Sequence, residues 1–128
     1  MATRVTHRIK ISVESHYQEI YSRPEQRQFY FSYHIRIENT GDYTVQLMRR
    51  HWYIFDTAGT GQEVEGEGVV GQQPILKPGE VYEYESACNL NSEIGSMHGT
   101  YLFVREADGG RVEVQIPRFE LIAPFRLN

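Results

Sequence analysis

Residues 28–38 read Gln-Phe-Tyr-Phe-Ser-Tyr-His-Ile-Arg-Ile-Glu, so that Phe29, Phe31, Tyr33, Ile35 and Ile37 alternate with Gln28, Tyr30, Ser32, His34, Arg36 and Glu38. A period of two sustained over this length is the pattern of a strand, whose successive side chains point to opposite faces; a helix repeats about every 3.6 residues and cannot imitate it. Fully burying side chains of this size contributes about 1.5 to 3 kcal/mol each, which places this strand in the middle of a core. His34 falls on the opposite face, where an ordinary solvated histidine is expected.

The rest of the chain repeats the theme at lower contrast. Ile9, Ile11 and Val13 alternate with Arg8, Lys10, Ser12 and Glu14, and residues 22–26 form a polar connection around Pro24. Asn39-Thr40-Gly41-Asp42 supplies turn chemistry before a long strand from Tyr43 to Asp56. The phase of that strand slips: Val45 and Leu47 are odd-numbered, Trp52 and Ile54 even-numbered. A β-bulge near Met48-Arg49-Arg50 would return both sets to one face. A short strand from Gln62 to Glu65 follows the turn at residues 56–61. Pro78 and Gly79 suit the central positions of a type II turn, and strand continues from Val81 to Cys88. Residues 89–99 read as a polar, glycine-bearing loop carrying Gly95, Met97 and His98, followed by a strand from Thr100 to Glu106. Asp108-Gly109-Gly110 closes a hairpin into residues 111–116, with Val112, Val114 and Ile116 inward, and Phe119, Leu121 and Phe125 complete the core.

About seven or eight antiparallel strands with regular turn signals and no amphipathic helix predict an all-β, immunoglobulin- or fibronectin type III-like sandwich of two sheets with Greek-key connections. The 128 residues suit a single domain over 1–128, with residues 1–6 as a flexible tail. Nine Tyr and six Phe reinforce the strand bias. A net charge of -4 lacks the basic excess that nucleic acid or an anionic membrane surface would require. The one cysteine, Cys88, permits no internal disulfide and fits a reducing cytoplasm, and the first residues lack an apolar signal core. Its expected state is a partly buried thiol with no catalytic partner.

Between Val64 and Ser86 the chain carries its most suggestive motif. Gly66, Gly68 and Gly71 spell G-x-G-x-x-G, which binds pyrophosphate when it leaves a strand and opens a helix. Here Pro74 and Pro78-Gly79 follow too closely for that helix, and Glu63, Glu65 and Glu67 place like charge beside any phosphate. The expected structure is a tight loop over one end of the sandwich. The three glutamates share one face of a strand and are candidates for a divalent metal, against the ordinary reading of a solvated edge. Arg49-Arg50-His51-Trp52 is a basic and aromatic cluster in which alternation pairs Arg50 with Trp52 and Arg49 with His51. Its ordinary reading has Trp52 in the core and the arginines pairing with strand carboxylates. No nucleophile, base and orienting acid recur at an interpretable spacing among the five histidines and their surroundings, so no catalytic residue is assigned and no cofactor is expected.

Arg50-His51-Trp52 with Asp56, then Val64-x-Gly66-x-Gly68-Val69-Val70-Gly71-x-Gln73-Pro74-x-Leu76-x-Pro78-Gly79-Glu80, Tyr84, Ser86 and Gly95-x-Met97-x-Gly99-x-Tyr101 together closely resemble the bacterial ApaG (CorD) family, from about residue 5 to residue 126. The resemblance implies a fibronectin type III-like sandwich that stands alone in bacteria. Its gene often neighbours that of a diadenosine tetraphosphate hydrolase, and the family name reflects cobalt and magnesium efflux. Related domains attached to eukaryotic F-box proteins and to a polymerase delta-interacting protein resemble partner-binding modules, and no catalytic residue comes with the family. The expectation is a non-enzymatic module that binds a protein partner through Gly66, Gly68, Gly71, Arg50 and His51. The alternative is a sensor of nucleotide or divalent metal that uses the glycine loop.

Overall fold

The computed structural model describes residues 1–59 and 61–124. Its strands are β1 (Ala2–Thr6), β2 (Ile9–Tyr17), β3 (Phe29–Asn39), β4 (Val45–Asp56), β5 (Gly61–Glu67), β6 (Ile75–Leu76), β7 (Val81–Leu90), β8 (Ile94–Arg105) and β9 (Arg111–Ile122), with one 3₁₀ turn at Pro24–Gln26. They form two antiparallel sheets, one in the order β1-β2-β3-β7 and the other β5-β4-β8-β9, with β6 paired to the far end of β4. The chain crosses between sheets after β3, after β6 and after β7, as a Greek-key sandwich requires.

The alternation in β3 does what its pattern predicts. Phe29, Phe31, Tyr33, Ile35 and Ile37 are buried, and β3 pairs with β2 on one side and β7 on the other. The turn at Pro78-Gly79 is the expected one, with Gly79 at φ 87° and the Glu80 N–H donating to the Lys77 carbonyl at 3.0 Å.

Two stretches differ from expectation. Residues 1–6 are not a tail: β1 pairs with β2 from Ala2↔Val13 to Thr6↔Ile9. The hairpin closes through His7 and Arg8 at φ 49° and 64°, a turn normally announced by Asn-Gly or Asp-Gly, and so it leaves no recognisable mark in the sequence. Residues 89–99 are not a loop either, because β7 runs to Leu90 and β8 begins at Ile94. There glycine serves close strand approach instead of a turn. A Cβ on Gly99 would lie 2.0 Å from the His51 carbonyl oxygen, and one on Gly95 would lie 2.5 Å from that of Phe55. Met97 between them is buried in the core. A register shift between Met97 and Gly99 then moves the inward set of β9 from Val114 and Ile116 to Phe119 and Leu121. Phe125, the last expected core residue, lies outside the described residues.

The two long sides of the sandwich are unlike. On one, β1 and β2 lie against β9; the Ser15 hydroxyl donates to the Glu120 carbonyl at 3.0 Å, and the Gln115 N–H donates to Thr6 Oγ1 at 3.2 Å. On the other, the edge strands β5 and β7 flank an open cleft.

Gly99→Ala tests the close approach. Because the obstacle is backbone and not a mobile side chain, the expected cost is about 1 to 3 kcal/mol, read as a lower urea midpoint at unchanged m-value. Equal stability of the variant and wild type would show that β4 and β8 can part without penalty.

Candidate functional site

The cleft is built from the slip in β4. Leu47 pairs with Phe103 and Arg49 with Leu102, which leaves Met48 as the extra residue of a β-bulge, as the change of phase predicted. Val45 and Leu47 before it and Trp52 and Ile54 after it are all buried on the same face. The bulge also interrupts the far edge of β4: β5 pairs with residues 49–55 and β6 with residues 45–46. The glycine loop spans the gap.

That loop is fastened at every corner. The Gly68 N–H donates to the carbonyl of Met48 at 2.8 Å, and Gln73 Nε2 donates to the same oxygen at 3.1 Å. Val69 and Gln72 exchange backbone hydrogen bonds of 2.8 and 2.9 Å around Val70 and Gly71, both at positive φ. A Cβ on Gly68 would lie 2.2 Å from the Gln72 carbonyl oxygen. Val69, one of two apolar residues between the motif's glycines, is fully buried as a plug in the core. Arg50 projects on the Trp52 side and donates through Nη1 to the carbonyls of Glu67 and Gly68, each at 3.0 Å. Its guanidinium covers Gly66, where a Cβ would meet Nη1 at 2.8 Å. The expected pairing of Arg50 with a strand carboxylate is therefore corrected: its Nη1 is taken up by two loop carbonyls that would otherwise lack partners.

Two amides of the motif, those of Gly68 and Val69, and that of Gln72 just after it are thus already engaged, and the segment after Gly71 enters β6 instead of a helix. The arrangement matches the tight rim loop expected from the prolines. It lacks the converging amides of a helix N-terminus that hold a pyrophosphate.

Beside the loop, Tyr33, Arg50, Trp52, Val64, Val69 and Tyr84 line a cleft of about 300 Å³ that also reaches Ser86 and Cys88. Trp52 meets Tyr33 edge-on at 5.5 Å and Tyr101 at 6.4 Å. Tyr84 and Tyr101 share a hydroxyl–hydroxyl hydrogen bond across the two sheets. Burial pushes the phenols of Tyr33, Tyr84 and Tyr101 up, and the nearby Arg50 charge opposes this only in part. The Cys88 thiol, half-buried as expected, is pushed up to about 12 by burial. At neutral pH the cleft thus presents protonated hydroxyls and a protonated thiol.

The structure separates residues that the sequence grouped. Gly66 at the end of β5, Gly68 and Gly71 in the loop and Arg50 of β4 gather beside the cleft, but His51 faces the opposite side of β4. There its Nδ1 lies 2.9 Å from Glu65 and its Nε2 3.5 Å from Glu63. The ring stacks on Tyr53, centroid to centroid 4.6 Å, and Tyr53 on His98. One donor atom each from His51, Glu63 and Glu65 falls within 4.8 Å of the others; Glu67, the third glutamate of the expected row, is not in the group. The cleft residues missed by sequence reasoning, Tyr33, Tyr84 and Val64, come from three different strands, and only the Val69-Val70 pair inside the glycine motif offered a local signal.

Two sheets closed along one side and open around an aromatic cleft along the other define a fibronectin type III-like β-sandwich domain. Residues 19–105 match the ApaG domain. The chain is 48% identical over 124 residues to Protein ApaG of Rhodospirillum centenum, covering 97% of this chain and 95% of that one. It is 46% identical over 128 residues to Protein ApaG of Anaeromyxobacter dehalogenans, with both chains covered in full. The crystal structure of the putative ApaA protein from Bordetella pertussis, 47% identical, superposes with a TM-score of 0.87 over 91% of this chain and 94% of that one. The chain belongs to the ApaG family.

The buried thiol makes stability depend on alkaline pH. Cys88 ionises near 9.0 when unfolded and near 12 when folded, so between these values the unfolded chain holds fewer protons and is favoured as pH rises. The contribution is complete below about pH 9 and is lost toward pH 12, and the three tyrosines act in the same direction above pH 10.0. The urea midpoint of the wild type is expected to fall from pH 9 upward, and that of Cys88→Ala to fall less between pH 9 and 10. Parallel curves would place the thiol in water.

Proposed function

We propose that the protein is a non-enzymatic interaction module whose cleft, between β7 and the glycine loop, receives a segment of a protein partner. The observation that carries this reading is Val70. It is β-branched and 62% exposed, yet it is held at φ 47°, where such residues are rarely found. A left-handed conformation costs an L-residue about 1 to 2 kcal/mol, and strain of this kind collects where a surface is kept for use and not for stability. Val70 sits on the rim of the cleft, beside the partly exposed Val64 and over the aromatic floor. A concave, mostly apolar site with a few placed hydroxyls is the usual form of a binding pocket. The raised thiol argues against nucleophilic catalysis by Cys88, because a reactive cysteine needs its pKa lowered. The single free cysteine suits a cytoplasmic setting. Any role in diadenosine tetraphosphate metabolism or divalent-metal efflux then passes through the partner.

Val70→Gly separates use from stability. Relieving the left-handed strain is expected to raise stability by about 1 kcal/mol while weakening, by tenfold or more, nonapeptides selected on the wild-type protein from a random display library. Lys10→Ala on the remote face of β2 should change neither quantity. A selection that enriches no peptide, or peptides indifferent to Val70, would reject the cleft as the binding surface.

A second reading has one observation behind it. His51, Glu63 and Glu65 bring three donors together, and His51 Nε2, although covered, makes no hydrogen bond at its 3.5 Å distance from Glu63. Nitrogen and carboxylate donors suit a divalent transition ion, which would make this outer face a sensor. Calorimetric titration with Zn²⁺ is the test. Saturable binding at one site that Glu63→Gln and Glu65→Gln both remove favours this reading, and binding unchanged in both variants ends it.

A further inference from the structure

The cleft is one of two depressions that abut the same stretch of β7. Glu85 and Ala87 line it on the core side, and the same two residues line a groove of about 570 Å³ on the outer face, with Gln18, Tyr21 and Tyr30. β7 is the outermost strand of its sheet, and its ten residues pair with β3 without a register shift. It contains no proline. Natural sandwiches usually blunt such an edge with a bulge, a proline or a run of charge. β5, across the cleft, follows that rule with Glu63, Glu65 and Glu67, whereas β7 has Glu83 and Glu85 and then uncharged Ala87 and Asn89.

On the basis of the cleft reading above, we infer that the partner segment binds by adding a strand to the free edge of β7. A strand places successive side chains on opposite faces, and an added neighbour lies about 4.8 Å away. Laid along residues 84–88, it sends one side chain into the aromatic cleft and the next into the outer groove. Main-chain hydrogen bonds then supply affinity and the two depressions supply specificity. The cleft, lined by Trp52, Val64 and Val69, takes an apolar or aromatic side chain. The outer groove, lined by Tyr21, Tyr30 and Glu85, whose carboxylate otherwise has His34 Nδ1 at 3.9 Å, takes arginine, which pairs with the acid and packs on the rings. The partner is therefore an extended segment in which arginine alternates with valine or phenylalanine. A second copy of this chain fits poorly, because two β7 edges meeting about a twofold axis would oppose their Glu83 and Glu85 rows.

The probe is a blocked nonapeptide of alternating arginine and valine or phenylalanine, studied with the full chain alongside the library-selected peptides. Binding is followed by fluorescence anisotropy and by amide hydrogen exchange across β7. N-methylation of every second peptide residue is expected to weaken binding at least tenfold and of the intervening residues less than twofold. Glutamate in place of arginine should also cost tenfold or more, as should Ala87→Lys, a change at an exposed position that leaves the fold intact. A flat N-methyl profile, failure of the arginine peptide to bind, or indifference to Ala87→Lys overturns strand addition. Library peptides that still depend on Val70 would leave the cleft reading standing in that event, and loss of that dependence rejects both. Concentration-dependent dimerisation abolished by Ala87→Lys would make the occupant a second copy and likewise overturn the inference.

Discussion

The carbonyl of Met48, pushed out of register by the bulge in β4, is the contact on which the architecture of the open side depends. It receives hydrogen bonds from the Gly68 backbone and the Gln73 side chain, and Arg50 returns two more from β4 to the loop. Bulge and loop are each a liability alone: one leaves a strand carbonyl unpaired and the other leaves loop carbonyls unpaired near the core. Together they satisfy each other. The exchange also lets β4 keep both halves of its apolar set inward, and it releases β5 from β6 so that Val69 can descend between them.

This arrangement gives the glycine motif a physical explanation that needs no nucleotide. Gly66 leaves room for the guanidinium, Gly68 for a carbonyl 2.2 Å from where its Cβ would stand, and Gly71 takes a positive φ in open space. The requirement at Gly66 is steric, that at Gly71 conformational, and Gly68, at φ 65°, carries both; all three serve the same loop. Arg50 is accordingly a support for the loop beside the cleft, whereas His51, one residue on, belongs to another face altogether.

Much of the fold was legible because its strongest elements alternate cleanly. β3 shows its core face over its whole length, and the change of parity between Leu47 and Trp52 located the bulge. What escaped notice was structure carried by residues that usually mean something else. Gly95 and Gly99 read as loop, yet they permit close approach of strands; His7 and Arg8 form a tight turn without turn residues. The site was less legible than the fold. Tyr33, Trp52 and Tyr84 are distant in sequence and converge only through cross-sheet packing, so no local spacing marks them. The alternation that correctly split Arg50 from His51 was a clue that the basic cluster is not one surface.

The hydrogen bond between Tyr84, at the lining of the open cleft, and the fully buried Tyr101 joins the two sheets. Apolar layers tolerate sliding and exchange of similar side chains, but a paired couple of phenols does not, since displacement by one residue would leave the fully buried Tyr101 hydroxyl without a partner. The couple therefore acts as an alignment pin. While the apolar residues around it can exchange for others of similar volume, the relative position of the sheets, and with it the width of the gap between β5 and β7, stays set.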